Sequence, residues 1–459
     1  MIAALGVGSK ARLTVLAAAL AALGACVHYE PQPLQPDRLV AAHDAQTLPG
    51  PPQGRWTDAD LLAAAIQRSA AVRQAEANYR AARAAAQASR TPPPLSLTLV
   101  AEYSRDAGGT TPWLYSGLLG IPLDFGSKRE ARLGIADLGA VQALYDYAEA
   151  LWTVRSVVVH AHIERLAAER EAVLAQQAVQ LRADRAAKLE NRIRSGEDAR
   201  PAGVTAATEL AAAQRRVQDL INRRSVADAT LAGALGVPVG LVQTISLDAL
   251  PNVIDLPPTA NLVIWRQEAA LRRRDVLRTV ADYAVAEQTL RLEVAKQYPD
   301  VQLGPGYTFE RGQHKIPFDL TLTLPPRDLN RANIRSAEAK RAQAAAKLDA
   351  VQTAVLAGVD QSTIALIGAK AGLDRAINQD IPLAQRADEA ARRALGAGEL
   401  DRLDKQAAQA AAIDAEITAL EGWRTVWLAV ADLEDALRRP SPAESAILEA
   451  AVARAGDSR

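Results

Sequence analysis

The chain has 459 residues and carries 53 Lys and Arg against 53 Asp and Glu, a formal net charge of zero. That balance excludes the basic surplus a nucleic-acid partner requires, and a single Cys excludes a disulfide framework within the chain. Aromatic residues make up only 4%, and Ala, Arg, Leu and Gln abound, which suits long close-packed helices better than a wide globular core.

Residues 1–25 read as a secretory signal peptide. Lys10 and Arg12 precede an apolar run from Leu13 to Leu23, and small residues lead into Cys26. The run is too short to span a bilayer as a mature helix. The ending Leu23-Gly24-Ala25-Cys26 resembles the lipobox of bacterial lipoproteins. That resemblance implies a covalent lipid on Cys26, which becomes the first mature residue, and Val27 in place of an aspartate favours the outer membrane. Several acyl chains on one residue anchor more firmly than a single myristoyl group. Cleavage removes two bases and no acid, so the mature charge is 51 − 53 = −2. A lipidated extended segment, 26–56, follows.

Beyond it the chain repeats itself. Tyr103 in "PPPLSLTLVAEYSR" pairs with Tyr307 in "YPDVQLGPGYTFER", an offset of 307 − 103 = 204. Pro122 pairs with Pro325 (offset 203) and Gly196 with Gly398 (offset 202). The first repeat is 57–235, an inter-repeat linker is 236–260, the second repeat is 261–438 and a tail is 439–459. Each repeat is predicted to run helix (57–90; 261–297), two strands, very long helix (128–195; 331–396), tight turn and return helix (202–235; 399–438). Leu144, Ala148, Leu151, Val154, Val158 and Ala161 give the first long helix one apolar stripe, as do Leu348, Val351, Val355 and Val359 in the second. Helices this long imply a coiled coil, a spanning device or a tube.

The strands, about 94–105, 112–123, 300–311 and 314–325, alternate. Leu95, Leu97, Leu99, Ala101 and Tyr103 face one way, and Ser96, Thr98, Val100 and Glu102 the other. Strands of this length, apolar on one side and small and polar on the other, suit a membrane barrel around a watery lumen. A half-buried soluble sheet alternates in the same way, but Tyr103, Trp113, Tyr115, Tyr307 and Phe309 sit near strand ends, where an aromatic girdle lies. Pro94, Pro112, Pro122, Pro299 and Pro325 are read as junctions. Two strands per repeat cannot close a barrel, and an open edge in lipid leaves backbone groups unpaired, so the chain is predicted to oligomerise.

With "IPLDFGSKREAR" (121–132), "LPPRDLNRANIR" (324–335), "GALGVP" (233–238) and "LDKQ" (403–406), this order resembles the TolC-like outer-membrane efflux protein family over nearly all of the mature chain. The resemblance implies a fold that is mainly α with a membrane β-barrel part: a homotrimer whose twelve-stranded barrel continues as a periplasmic α-helical barrel. The linker, the stretch around Pro31, Pro33 and Pro36, and the tail would wrap its middle. It further implies an exit duct, lipid-anchored in the outer membrane, working with a periplasmic adaptor and an inner-membrane efflux transporter driven by protons. The alternatives are a periplasmic adaptor, which would have one helical hairpin between β domains, or a structural coiled-coil lipoprotein, which needs no alternating strands.

The turns holding Gly196, Glu197, Gly398 and Glu399 are then the candidate adaptor-docking tips. Asp401 and Asp404, one helical turn apart, match acidic residues that line the closed aperture in some members, and are the candidate periplasmic gate; acids at a helix start also complement the dipole without gating. His160 and His162 point to different faces of their helix, so neither a metal nor another cofactor is assigned. No catalytic constellation is present, and no enzyme activity is expected.

Overall fold

The computed structural model describes residues 29–51, 54–105, 111–124, 127–250, 259–310 and 312–457. Cys26 and the signal peptide lie outside them. The chain divides into residues 1–46, whose described helix is α1 (Pro36–Asp44), and residues 47–459.

The larger unit bears out the duplication. Helices α2 (Asp58–Arg68) and α3 (Ala70–Ala88) lead to strands β1 (Ser96–Tyr103) and β2 (Trp113–Leu123), then to α4 (Ser127–Arg194) and α5 (Arg200–Leu235). After a short helix α6 (Val239–Thr244), the second repeat has α7 (Thr259–Arg272), α8 (Arg274–Ala295), β3 (Asp300–Glu310), β4 (Gln313–Lys315), β5 (Phe318–Thr323), α9 (Arg331–Arg375), α10 (Ile381–Ala397) and α11 (Arg402–Leu437). Helix α12 (Pro442–Asp457) closes the chain. The return helices α5 and α11 each have 36 residues, and their starts lie 402 − 200 = 202 apart. At 1.5 Å per residue, the 68 residues of α4 extend roughly 100 Å.

Several elements differ from expectation: within 26–56, expected to be extended, Pro36–Asp44 is the helix α1. The opening helix of each repeat is broken, at Ser69 and at Arg273, positions 204 apart, where ψ swings to 127° and 144°. The first break lets the Arg68 carbonyl approach the chain reversal after α5, so closely that a Cβ on Gly236 would sit 2.8 Å from it. Gly236 also has φ +65°, a conformation glycine adopts at little cost. Its counterpart, Arg438, holds φ +53° with a full side chain. That side chain binds Glu149 and stacks 5.0 Å from the Trp152 ring, which offsets the roughly 1–2 kcal/mol of backbone strain. A further difference is the predicted strand 314–325, which is split into β4 and β5. Pro317 has no amide proton to give, and only its carbonyl joins β3, accepting from Gly306 N at 2.9 Å. Pro122 lies inside β2 rather than at a junction; β1 ends opposite Gly120, so the missing donor has no strand on that side.

The sheet runs β1-β2-β3, with β4 and β5 both antiparallel to β3. The helices form one layer. Near the sheet its order is α3-α4-α8-α9, and at the far end α5-α4-α11 followed by α9 and α10. Among the described residues, sheet and layer both end in free edges. Small elements pack as a belt on one face of the layer, around Trp56, Leu61, Leu62, Val158, Leu231 and Leu235. Buried polar side chains on one side of α4 hold this belt. Arg155 Nε binds Glu444 of α12 at 3.0 Å. His162 touches Asp58 at 2.5 Å and the Asp248 carbonyl at 3.1 Å. Arg165 donates to the carbonyls of Val242 and Ile245 at 2.8 and 2.9 Å.

Candidate functional site: a wall and its tip

The cross-strand register sorts the sheet into two faces. Leu97 pairs with Leu119, Leu99 with Gly117, Tyr115 with Phe309, and Leu303 with Leu320, so one face is apolar apart from His314 opposite Phe309. It is uncovered: Leu99 is 74% and Phe318 76% exposed. The other face carries Ser96, Thr98, Ser116, Gln302, Thr308 and Thr321, with Ser116 Oγ 2.9 Å from Thr308 Oγ1. The aromatic residues gather toward one end, where Trp113 stacks on Tyr115 at 5.8 Å and meets Tyr103 edge-on at 5.0 Å.

Below the sheet, α4 and α11 are antiparallel neighbours joined by a ladder of polar side-chain pairs, most of them ion pairs. Glu149 meets Arg438, Arg155 meets Asp435, and His160 meets Asp432 at 2.9 Å. Glu164 meets Arg424 at 2.7 Å and Arg182 meets Asp414 at 2.6 Å. Arg192 ends the ladder on Asp401. Sequence reading did not find this seam. Its signal is there: the charges of 149–192 are matched by opposite ones in 401–438 taken in reverse order, as antiparallel packing requires.

The two turns are alike. Gly196 (φ +81°) and Gly398 (φ +76°) reverse the chain, and the amides of Glu197 and Glu399 reach back to the carbonyls of Arg192 and Ala394, each at 2.9 Å. This closes the helix ends with Schellman-type bonds. Asp401 is the N-cap of α11, its carboxylate accepting from Leu403 N at 2.5 Å and Asp404 N at 3.0 Å. Arg192 gathers Asp198 at 2.6 Å and Asp401, so one guanidinium ties the first turn to the second. Burial opposes ionisation of Asp401, but the Asp404 amide and Arg192 outweigh it and hold the carboxyl below its ordinary range. Asp404 is exposed, and among the described residues its carboxylate accepts no hydrogen bond. Asp401 and Asp404 thus lie together at one tip, with unequal surroundings.

The long helices also differ. α4 is continuous, whereas a π-helical turn, Ala376–Asp380, separates α9 from α10, just ahead of Pro382. A proline here removes an amide and crowds the carbonyl four residues back, which a wider turn relieves. His160 and His162 make the separate contacts given above, and no group of metal-ligating side chains occurs among the described residues.

A family model described as outer membrane efflux protein matches residues 61–237. No curated protein matches the sequence. Among solved structures, a membrane protein from Pseudomonas aeruginosa is similar with TM-score 0.69 at 18% identity, over 87% of this chain and 99% of that one. The outer membrane protein VceC of Vibrio cholerae matches with TM-score 0.67 at 18% identity, over 82% and 95%. The open-state MtrE outer membrane channel of Neisseria gonorrhoeae matches with TM-score 0.66 at 19% identity, over 86% and 94%. Residues 61–237 thus match the outer membrane efflux protein model, and the chain as a whole has the fold seen in these outer-membrane channels.

Proposed function

We propose that this chain is the exit duct of a tripartite efflux system: a homotrimer lipidated at Cys26, with its strands in the outer membrane and its helices in the periplasm. The observation that carries this reading is the pair of open edges. Among the described residues, β1 and β5 each lack a neighbouring strand on one side. At the ends of the helical layer, Val204 and Val226 of α5 and Ile364 and Leu383 of α9 and α10 are 64–70% exposed. A second copy placed edge to edge covers both at once, and three copies bring enough strands for a barrel that encloses water. The tube holds no energy source. A periplasmic adaptor docking at the Gly196–Glu197 and Gly398–Glu399 tips, and a proton-driven inner-membrane transporter, would supply direction. The expected result is a heat-sensitive trimer in outer-membrane extracts that forms ion channels in planar bilayers. A water-soluble monomer would overturn the reading.

At the tip, Asp401 and Asp404 act as the gate, with Arg192 as its latch. Arg192→Ala leaves the Asp401 cap but cuts the tie between turns, and should raise single-channel conductance about twofold or more as the aperture loosens. Asp401→Ala with Asp404→Ala should relieve block by divalent cations. Unchanged conductance and block in both variants would reduce Asp401 to a helix cap.

A further inference from the structure

We propose that the β-barrel is itself a cation-selective filter, set by the carboxylate of Asp319 and reinforced by Glu102. This rests on the trimeric channel reading above. Register places both residues on the small polar face, the lumen side of a closed barrel. Asp319 pairs with Gly304 of β3, and Glu102 with Leu114 of β2. Beside Asp319 this face carries glycines that make room for neighbouring side chains. A Cβ on Gly304 would stand 3.0 Å from Asp319 Cβ, and one on Gly306 would meet Leu118 Cδ1 at 2.7 Å. In the neighbouring lane, a Cβ on Gly120 would meet Ser96 Oγ at 2.3 Å and Gln302 Nε2 at 2.4 Å. These glycines give up their space to the side chains of Leu118, Ser96 and Gln302, while Asp319 itself stays exposed.

The charges on this face complete the case. Asp300 is neutralised by Lys128 at 2.7 Å and Glu310 by Lys315 at 2.5 Å. Lys315 is the one cation on the lumen face among the described strand residues. Asp319 and Glu102 are exposed and have no cation within ion-pair distance among the described residues. Closure does not supply one. The free edge of β5 would join the free edge of β1 in the next copy, and β1 offers Ser96, Thr98, Val100 and Glu102 to the lumen. Each carboxylate is repeated by symmetry at one level, and Glu102 lies six residues from the Ser96 level, about 20 Å along the strand. Such rings select by potential, without coordinating an ion. Screening limits their reach to about 10 Å at 0.1 M salt and about 3 Å at 1 M.

The test is the reversal potential of purified trimers in planar bilayers under a KCl gradient, with the Asp401→Ala/Asp404→Ala tip as the common background. Channels with Asp319 should favour K⁺ over Cl⁻ near 0.1 M salt, and Asp319→Asn should lower that ratio about twofold or more, with the difference fading at 1 M. Glu102→Gln should lower it less. Asp319→Cys should lose selectivity, regain it after a sulfonate-bearing methanethiosulfonate, and lose it further after a trimethylammonium one. Asp319→Asn channels with the unaltered K⁺/Cl⁻ ratio at 0.1 M would overturn the inference while leaving the channel intact. Failure of the unaltered chain to form channels would overturn the functional reading instead.

Discussion

Replacing Arg155 by Met will destabilise the assembled protein by about 3–5 kcal/mol, whereas replacing Glu434 by Gln will not destabilise it. Arg155 has a side chain only 2% exposed and meets Glu444, itself 3% exposed, together with Asp435 and Glu434. Removing the cation takes from the buried Glu444 its counter-charge, which is where the large cost arises. Burial alone would lower the Arg155 guanidinium, but the hydrogen bonds and charges of Glu444 and Glu434 outweigh it and hold the group well above its ordinary range. The same site pushes the Glu434 carboxyl up, first by burial and then by repulsion from Glu444 and Asp435, despite the attraction of Arg155. Burial first, and then the two neighbouring acids, explain why a pair partner is raised rather than lowered. The sign for stability follows. Glu434 holds its proton more tightly when folded, so its contribution falls as pH rises from about 4.5 toward the folded value, and stays low above it. Glu434→Gln therefore removes part of the loss between acid and neutral pH, and Arg155→Met deepens it. Denaturant midpoints of the detergent-purified protein and the survival of trimer on heated gels at pH 4 and pH 7 read both effects. An Arg155→Met protein as resistant as its parent would show that the cluster holds nothing.

Much of this was legible in the sequence, for physical reasons that differ by element. The strands show because apolar and polar residues alternate and their two faces meet different solvents. The duplication shows because proline and glycine landmarks keep their spacing, and Gly196 and Gly398 serve the same turn. The breaks at Ser69 and Arg273 were not legible. Neither residue ends a helix by propensity, and the bends come from packing against the reversals after α5 and α11. Arg438 in the left-handed region was hidden for a related reason: glycine at 236 signals the turn, and only tertiary contacts stabilise arginine in the equivalent place. At the tip, the sequence placed Asp401 and Asp404 together but not Arg192, because the tie joins residues 209 apart. The split between β4 and β5 could have been read from Pro317, which occupies a position where an inner strand would need an amide.

The second large effect is a contrast between adjacent residues. Leu99→Arg will abolish assembly in the outer membrane, while Thr98→Arg will assemble and change conduction. Both sit mid-strand on β1, opposite Gly117 and Leu118. Their exposures do not separate them, since both are uncovered in a single chain; only the parity of the strand does. If the apolar face meets lipid, an arginine at 99 costs about 2–4 kcal/mol near the bilayer midplane, once per copy, and the penalties add around the barrel. An arginine at 98 stays in water and adds a positive ring near the lumen-facing carboxylates, so it should lower K⁺ preference and narrow the pore. In a soluble half-buried sheet the preference would reverse. The apolar face would turn to a protein core, and the polar face to bulk water, where an added charge changes no conductance. Heat-sensitive trimer in outer-membrane fractions, with single-channel records for whichever variants assemble, decides between them. Equal trimer yield from both would mean that the leucines of β1 do not face lipid, and the edge-to-edge closure built on them would fall with that result.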